Sequence, residues 1–212
     1  MNNATDRIRL ENIDMRFMTE RGELKVVEDV SLTIGEGEFV AIVGPSGCGK
    51  TTLIRLITGQ IEPVGGAVAL LPVPFALLDQ HAGMLDPDQS LRDNFLRMNP
   101  GAEPHLAHAT LARFGFRTFD AARFGRALSG GERLRAGLAC TLGAQPVPGL
   151  LILDEPTNHL DLDAIAALES ALAAYDGAVL AVSHDDAFVQ ALAPDRTICL
   201  PGPEKAEGGF CG

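Results

Sequence analysis

The stretch FVAIVGPSGCGKT (residues 39–51) is the most informative part of this 212-residue chain for its fold class. Five consecutive apolar residues, 39–43, are typical of a strand buried on both faces of a parallel sheet. They run into a glycine-rich loop, 44–51, that matches the pattern G-x-x-x-x-G-K-[ST]. A helical stretch begins at Lys50 and stops before Gly59. This strand–loop–helix order predicts a loop that binds phosphate.

The loop supplies the groups that hold phosphate. Its glycines let the backbone curl so that N–H groups point inward, and the helix that follows adds the positive end of its dipole. We expect Lys50 to reach the β- and γ-phosphates of a nucleotide and the Thr51 hydroxyl to ligate Mg²⁺. Cys48 is interpreted as a small filler rather than a nucleophile. The alternative is a glycine-rich turn without a ligand, which the surrounding elements disfavour.

Two acidic residues end a second apolar strand, in LLILDE (residues 150–155). The carboxyl ends of strands are where α/β sheets bind ligands. We expect Asp154 to hold Mg²⁺ through its water shell and Glu155 to polarise an attacking water, although the pair could instead cap the next helix. His184 also follows an apolar strand, 178–182. A lone histidine is commonly structural, but this position favours a role in the site.

LSGGE (residues 128–132) precedes a helical run, 133–142. Ser129 is a candidate N-cap, and the glycines after it expose N–H groups that could form a second anion site. Taken alone, the segment could be an ordinary capped helix. Its interpretation depends on its occurrence with the other motifs.

Short β-rich and helical stretches alternate along the chain. Beside the strands already named, strands are predicted at 8–10, 26–34 and 67–79, the last with prolines typical of edge positions. Helices are predicted within 88–128, with breaks at 99–101 and Gly115, and over 161–175. The alternation predicts an α/β fold with helices packed on a mainly parallel sheet.

Composition excludes several classes of protein. Hydrophobic residues make up 46% and charged residues 21%, so wholesale disorder is excluded. The net charge of −11 disfavours nucleic acid, and we expect no DNA partner. Residues 97–135 nevertheless carry seven arginines against three acidic residues. This basic stretch is either a solvated helical face or a surface for RNA phosphates.

The chain is expected to be cytoplasmic. No apolar run approaches the ~20 residues that a membrane span needs, and the start of the chain lacks the apolar region of a secretory signal. The four cysteines show neither CxxC pairing nor zinc-like spacing, which favours reduced thiols. Any attachment to the inner face of the membrane would come through a partner. The tail, 201–212, is expected to be disordered.

Six motifs in this order resemble the nucleotide-binding domain of the ABC ATPase superfamily over nearly the whole chain. They are Walker A (44–51), the Q-loop Gln80, the signature LSGGE (128–132), Walker B (150–155), the D-loop NHLD (158–161) and the switch histidine His184. Phe17 resembles the A-loop aromatic that stacks on adenine. The signature separates ABC proteins from other P-loop NTPases.

The resemblance implies a fold, cofactors and site residues. The fold is a P-loop α/β core (1–80 and 130–200) with an N-terminal antiparallel β part and an inserted helical subdomain (81–129). The implied activity is Mg²⁺-dependent ATP hydrolysis. The implied catalytic residues are Glu155, His184, Lys50 and Gln80, and the implied metal ligands are Thr51, Gln80 and Asp154. The implied ATP contacts are Phe17, Gly44, Pro45, Ser46, Gly47, Cys48, Gly49, Lys50, Thr51, Thr52, Ser129, Gly130, Gly131 and Asp161.

The resemblance also implies a partner domain, since in this family ATP lies between Walker A of one domain and the signature of another. A homodimer or a heterodimer with a second nucleotide-binding domain is therefore expected. A non-hydrolysing binding module is disfavoured, because the hydrolytic motifs are complete.

The subtype differs along the chain. Residues 1–55 resemble the ATPases of nitrate, sulfonate or taurine importers, whereas residues from about 56 onward resemble soluble ABC-F proteins, in segments 77–94, 128–139 and 153–172. The two parts together suggest a hybrid or a fragment. The leading hypothesis is the energy-coupling ATPase of an ABC transporter, docked on a membrane permease. The alternative is an ABC-F-like ATPase that acts on the ribosome.

Overall fold

The computed structural model describes residues 6–20, 22–70, 73–79, 83–143, 146–156 and 162–202. Three predictions lie outside these ranges: the position of Gln80, the D-loop with Asp161, and disorder of the tail beyond residue 202. The chain divides into two units, which are described separately. The first contains residues 1–75, 149–154 and 177–212, and the second contains residues 76–148 and 155–176.

Within the described ranges the chain forms eight strands and six α-helices. The strands are β1 (Asp6–Thr19), β2 (Gly22–Gly35), β3 (Phe39–Val43), β4 (Gly65–Leu70), β5 (Phe75–Leu78), β6 (Leu150–Asp154), β7 (Ala178–Ser183) and β8 (Arg196–Cys199). The helices are α1 (Lys50–Ile57), α2 (Leu91–Met98), α3 (Pro104–Arg113), α4 (Gly130–Leu142), α5 (Leu162–Ala173) and α6 (Asp186–Leu192).

In the first unit, an antiparallel sheet has the strand order β2-β1-β4. Strands β1 and β2 are much longer than the runs predicted at 8–10 and 26–34. The pairing shifts register between Leu10 and Met15, and there Asn12 and the opposite Asp29 take left-handed φ values of 48° and 49°. Side chains of the opposite strand accept the N–H groups of these two residues, Ser31 Oγ at 2.9 Å from Asn12 N and Asp14 Oδ1 at 3.1 Å from Asp29 N, so the hairpin continues across polar residues.

The first unit also holds parallel strands in the order β6-β7-β3-β8. All residues of β7 and the first four of β6 are buried. This burial on both faces explains the continuous apolar runs in the sequence, since none of these ten positions faces water. The α/β prediction with a mainly parallel core and an antiparallel part is confirmed.

In the second unit, α2, α3 and α4 enclose a small apolar core. Phe95, Leu111 and Leu128 are among its buried side chains. The predicted helical region is confirmed, and its breaks coincide with the ends of α2 and α3. The boundaries 81–129 of the subdomain stay a prediction. None of the described helices combines the length and apolar character needed to cross a bilayer.

Candidate functional site

Three neighbouring parallel strands of the first unit end almost level with one another. Val43, the last residue of β3, pairs with Ser183, the last residue of β7. On the other side of β7, Asp154 at the end of β6 pairs with Val182. Residues that follow parallel strands leave from the same sheet edge, where α/β proteins bind ligands. The register therefore brings the glycine-rich loop, Asp154 and His184 to one edge.

The loop at residues 44–51 has the backbone that its sequence predicts. Gly47 and Gly49 take left-handed φ values of 82° and 97°. Helix α1 begins at Lys50, within this segment, and its first turn is closed by a hydrogen bond from Leu53 N to Gly49 O at 2.9 Å. The N–H groups before Leu53 have no intrahelical acceptor because of helix geometry. The loop and helix can thus present several donors to an anion.

Lys50 is the buried cation of this loop. Its side chain is only 6% exposed and donates hydrogen bonds to the carbonyl oxygens of Gly44 and, at 3.0 Å, Pro45. The Cys48 thiol lies 4.0 Å from the ammonium and is buried, which agrees with its interpretation as a filler. A buried ammonium held by loop carbonyls is ready to bind a phosphate oxygen, the stronger acceptor.

Two other segments of the first unit touch the loop. A Cβ atom on Gly49 would lie 2.6 Å from the carbonyl oxygen of Val26 in β2. A Cβ atom on Gly44 would lie 2.9 Å from the carbonyl oxygen of Leu200, which follows β8. Neither neighbour was predicted from the sequence, because contacts across such separations leave no local pattern.

Phe17 lies on β1, in the hairpin that touches the loop. It pairs with Leu24 of β2, close to the point where Met15 pairs with Val27. Its side chain is 38% exposed, although it is a large aromatic residue. An exposed aromatic ring on the strand pair that contacts Gly49 suits a platform for a nucleotide base, so this assignment stays a prediction with geometric support.

Asp154 and Thr51 could hold a divalent cation. Asp154 is half-buried at the end of β6, and α1, which carries the exposed Thr51 in its first turn, lies against β6. A carboxylate and a hydroxyl are hard oxygen donors of the kind that Mg²⁺ prefers. The donor set therefore fits Mg²⁺.

Glu155 and His184 follow their strands directly. Glu155 has a left-handed φ of 50°, a conformation that is costly for a non-glycine residue and that clusters at functional sites. His184 is exposed next to the buried Ser183. Both keep the positions that the sequence predicts, and their roles remain predictions.

In the second unit, Ser129 caps α4. Its hydroxyl accepts a hydrogen bond from Glu132 N at 3.2 Å, and a Glu132 carboxylate oxygen accepts one from Ser129 N at 2.8 Å. This capping box confirms the predicted N-cap. Arg123 pairs with both oxygens of Glu132, at 2.7 and 2.9 Å, a contact that was not predicted from the sequence. Arg123 holds the pKa of Glu132 down to about 2.

Several arginine side chains of the basic stretch form hydrogen bonds or ion pairs within the second unit. Four of the seven have partners among the described residues. Arg97 donates to Met84 O, Arg123 pairs with Glu132, Arg126 pairs with Asp88, and Arg135 donates to Phe114 O. Arg123 and Arg126 face carboxylates, so part of the positive charge of the stretch is offset within the unit.

Comparison with known proteins decides the family. Residues 27–158 match the protein family described as ABC transporter. The chain belongs to this ABC transporter family. It is an ABC-type nucleotide-binding domain, and its motifs include the loop at 44–51, which is the Walker A loop of that family. ATP hydrolysis is general among these domains.

Relatives of this ABC domain include larger proteins. It is 41% identical over 170 residues to the ATP-binding protein Uup of Escherichia coli K12, covering 78% of this chain and 26% of Uup. It is 36% identical over 177 residues to the energy-dependent translational throttle protein EttA of the same strain, covering 81% of this chain and 32% of EttA. The chain thus spans about a quarter to a third of the length of these relatives.

A solved structure supports the ABC fold. The post-hydrolysis dimer of the ATP-binding cassette MJ0796, bound to ADP and Pi, superposes with a TM-score of 0.76. It covers 95% of this chain and is 23% identical in sequence, a level at which the likeness concerns the fold alone.

Proposed function

We propose that this chain binds ATP with Mg²⁺ and hydrolyses it after pairing with a second nucleotide-binding domain. The observation that carries this proposal is the level ending of β6, β7 and β3, which brings Asp154, His184 and the Walker A loop to one sheet edge. Family membership supports ATP as the ligand.

Different residues are proposed to bind the phosphates, the adenine base and the metal ion. Lys50 and the first N–H groups of α1 bind the β- and γ-phosphates, and Phe17 stacks on adenine. Thr51 and Asp154 would hold Mg²⁺, with Gln80 assigned as a further ligand from the family motif, and the cation would supply positive charge that offsets the phosphates. The exposed Ser46 and Gly47 leave room for the phosphate chain, since a Cβ atom on Gly47 would meet no atom within 4 Å.

Hydrolysis requires a base and an in-line water. The water oxygen attacks the γ-phosphorus, the bond from that phosphorus to the β–γ bridging oxygen breaks, and Glu155 accepts the proton of the water. His184 contacts the terminal phosphate. Glu155, whose φ is left-handed, is therefore the proposed general base.

The second half of each site comes from a partner. The capped N-terminus of α4, with Ser129, Gly130 and Gly131, supplies donors to the γ-phosphate of the opposite domain, and we assign Asp161 to the same composite site from the family's D-loop motif alone. The dimeric state of the MJ0796 cassette supports this pairing for the present chain, whether the second domain is an identical copy or a different protein.

Two cellular roles are compatible with this ATPase domain. The first is an ABC transporter, in which the domain docks on a membrane permease at the inner face of the membrane. The match to the family described as ABC transporter and the importer-like residues 1–55 favour this role. The second acts in translation, and the identity to EttA, a translational throttle protein, favours it. Co-purification at endogenous levels separates them: a permease supports the first and ribosomes the second.

The glutamate variant Glu155→Gln tests the ATPase proposal. The amide retains the size of the carboxylate but cannot accept the proton, so the variant should bind ATP and accumulate as an ATP-bound dimer. Gel filtration with and without ATP measures this. Glu103→Gln, an exposed glutamate at the start of α3, is the matched control and should turn over ATP normally. A monomeric Glu155→Gln protein with unchanged turnover would refute the assignment.

A further inference from the structure

Arg123 forms a two-pronged ion pair with Glu132 in the second unit. Its Nη1 lies 2.7 Å from Oε1 and its Nη2 lies 2.9 Å from Oε2 of that carboxylate. The guanidinium also reaches the carbonyl oxygen of Ala127 at 3.2 Å and the carboxylate of Asp120 at 3.4 Å. A bidentate pair of this kind fixes both charge and orientation.

The backbone around Arg123 is itself held in place. Leu91 N donates to Arg123 O at 2.9 Å, and Gly125 N donates to Gln89 O at 3.0 Å. These bonds attach the arginine to the start of α2. Because the backbone is anchored, the guanidinium approaches Glu132 from a fixed point and little entropy is lost in forming the pair.

The carboxylate of Glu132 poses an electrostatic problem at the N-terminus of α4. One of its oxygens accepts the hydrogen bond of Ser129 N at 2.8 Å, so its negative charge lies within the segment that meets the γ-phosphate of a partner domain. Two negative charges a few ångströms apart repel each other, and the repulsion grows as solvent is excluded from between them. The negative charge of Glu132 would therefore oppose binding of the γ-phosphate at this helix end.

We propose that Arg123 is a positioning residue for ATP binding, because it neutralises Glu132 and lets the capped N-terminus of α4 accept a phosphate. The inference rests on the proposed function, in which α4 faces the ATP of a second domain. Arg123 acts through Glu132 and does not touch the nucleotide.

The chain offers a matched control three residues further on. Arg126 pairs with Asp88 and lies over the ring of Phe124, with 4.7 Å between the guanidinium carbon and the ring centroid. Its partners do not include Glu132 among the described contacts. Arg126→Gln thus removes an arginine from the same stretch without exposing the charge at α4.

The test measures the ATP concentration that drives half of the Glu155→Gln protein into dimers. Adding Arg123→Gln should raise that concentration about tenfold, the equivalent of ~1.4 kcal/mol, while Arg126→Gln should leave it unchanged. Adding Glu132→Gln to Arg123→Gln should restore it to within about twofold, since the amide keeps an acceptor for Ser129 N and carries no charge. A purely structural role for Arg123 predicts no such rescue.

Two further measurements separate the possible failures. The affinity of the isolated monomer for ATP depends on the Walker A loop and should be equal in all variants. Equal affinity shows that the variants are folded. An NMR titration of the Glu132 carboxyl without nucleotide should show its pKa rising from about 2 toward the usual 4.5 when Arg123 is replaced.

Three results of these measurements would overturn the role of Arg123, and a fourth would overturn the proposed function itself. Dimer formation at unchanged ATP concentration in the Arg123→Gln protein overturns the inference, as does a loss that Glu132→Gln does not rescue or a Glu132 pKa that stays low without Arg123. If the parent Glu155→Gln protein forms no ATP-dependent dimer, the proposed function fails first, and the inference falls with it.

Discussion

The carbonyl oxygen of Val26 lies 2.6 Å from the position that a Cβ atom on Gly49 would occupy. Gly49 also has a left-handed φ of 97° and directly precedes Lys50. The antiparallel hairpin and the Walker A loop are therefore in direct backbone contact, and a side chain at Gly49 is opposed both by φ and by lack of space.

Gly49→Ala should consequently destabilise the first unit more than Gly47→Ala does. Both replacements place alanine at a left-handed φ, which costs roughly 1–2 kcal/mol. Only the former also overlaps Val26, and overpacking adds about 1–3 kcal/mol. Thermal unfolding of the two variants measures the difference. Equal melting temperatures would mean that the hairpin yields to the extra methyl group.

Lys50→Ala should weaken ATP binding and abolish turnover. The substitution removes charge-assisted hydrogen bonds to phosphate, each worth roughly 1.5–3 kcal/mol. Titration calorimetry with ATP checks the affinity. Lys25→Ala is the control, because Lys25 is an exposed lysine paired with Glu28 at 2.6 Å. Normal ATP affinity and hydrolysis after loss of Lys50 would contradict the phosphate-loop assignment.

Mixing two inactive proteins tests the shared site. In one, Lys50→Ala disables the Walker A loop; in the other, Ser129→Arg fills the N-terminus of α4. A mixed head-to-tail dimer has one site with both defects and one with neither. Nucleotide trapping should therefore return at about one site per mixed dimer, measured with labelled ATP. If cross-linking demonstrates mixed dimers that trap nothing, each site is built within a single chain.

The stability of the chain should depend on Glu132 at acidic pH. Its pKa is lowered from 4.5 to about 2 by Arg123, so the ionised pair stabilises the fold fully above about pH 4.5. That contribution is lost as the pH falls from about 4.5 to about 2. Denaturant unfolding of the wild-type protein should accordingly lose more free energy over this interval than unfolding of Glu132→Gln. The exposed Glu62→Gln variant serves as control and should follow the wild-type curve.

Local sequence determined the elements and their caps. Strand β3, the loop and α1 follow from five apolar residues, the glycine pattern and the helical run after it, because each depends on neighbours within a few positions. The same holds for Ser129, whose partner Glu132 lies one turn away. The order of the motifs also indicated the family, which matches over residues 27–158.

Which of these elements contact one another follows from long-range packing, which no local pattern in the sequence indicates. The pairing of Val43 with Ser183 joins residues 140 positions apart, and the contact of Gly49 with β2 depends on a hairpin whose length the sequence pattern underestimated. Arg123 looked like one charge in a basic stretch, yet folding turns it toward Glu132. The first two pairings have no local signature, because the free energy that selects them comes from burial and hydrogen bonding among segments distant in the chain. Arg123 and Glu132 are only nine positions apart, but they meet only once the turn at Gly125–Ala127 between them has formed.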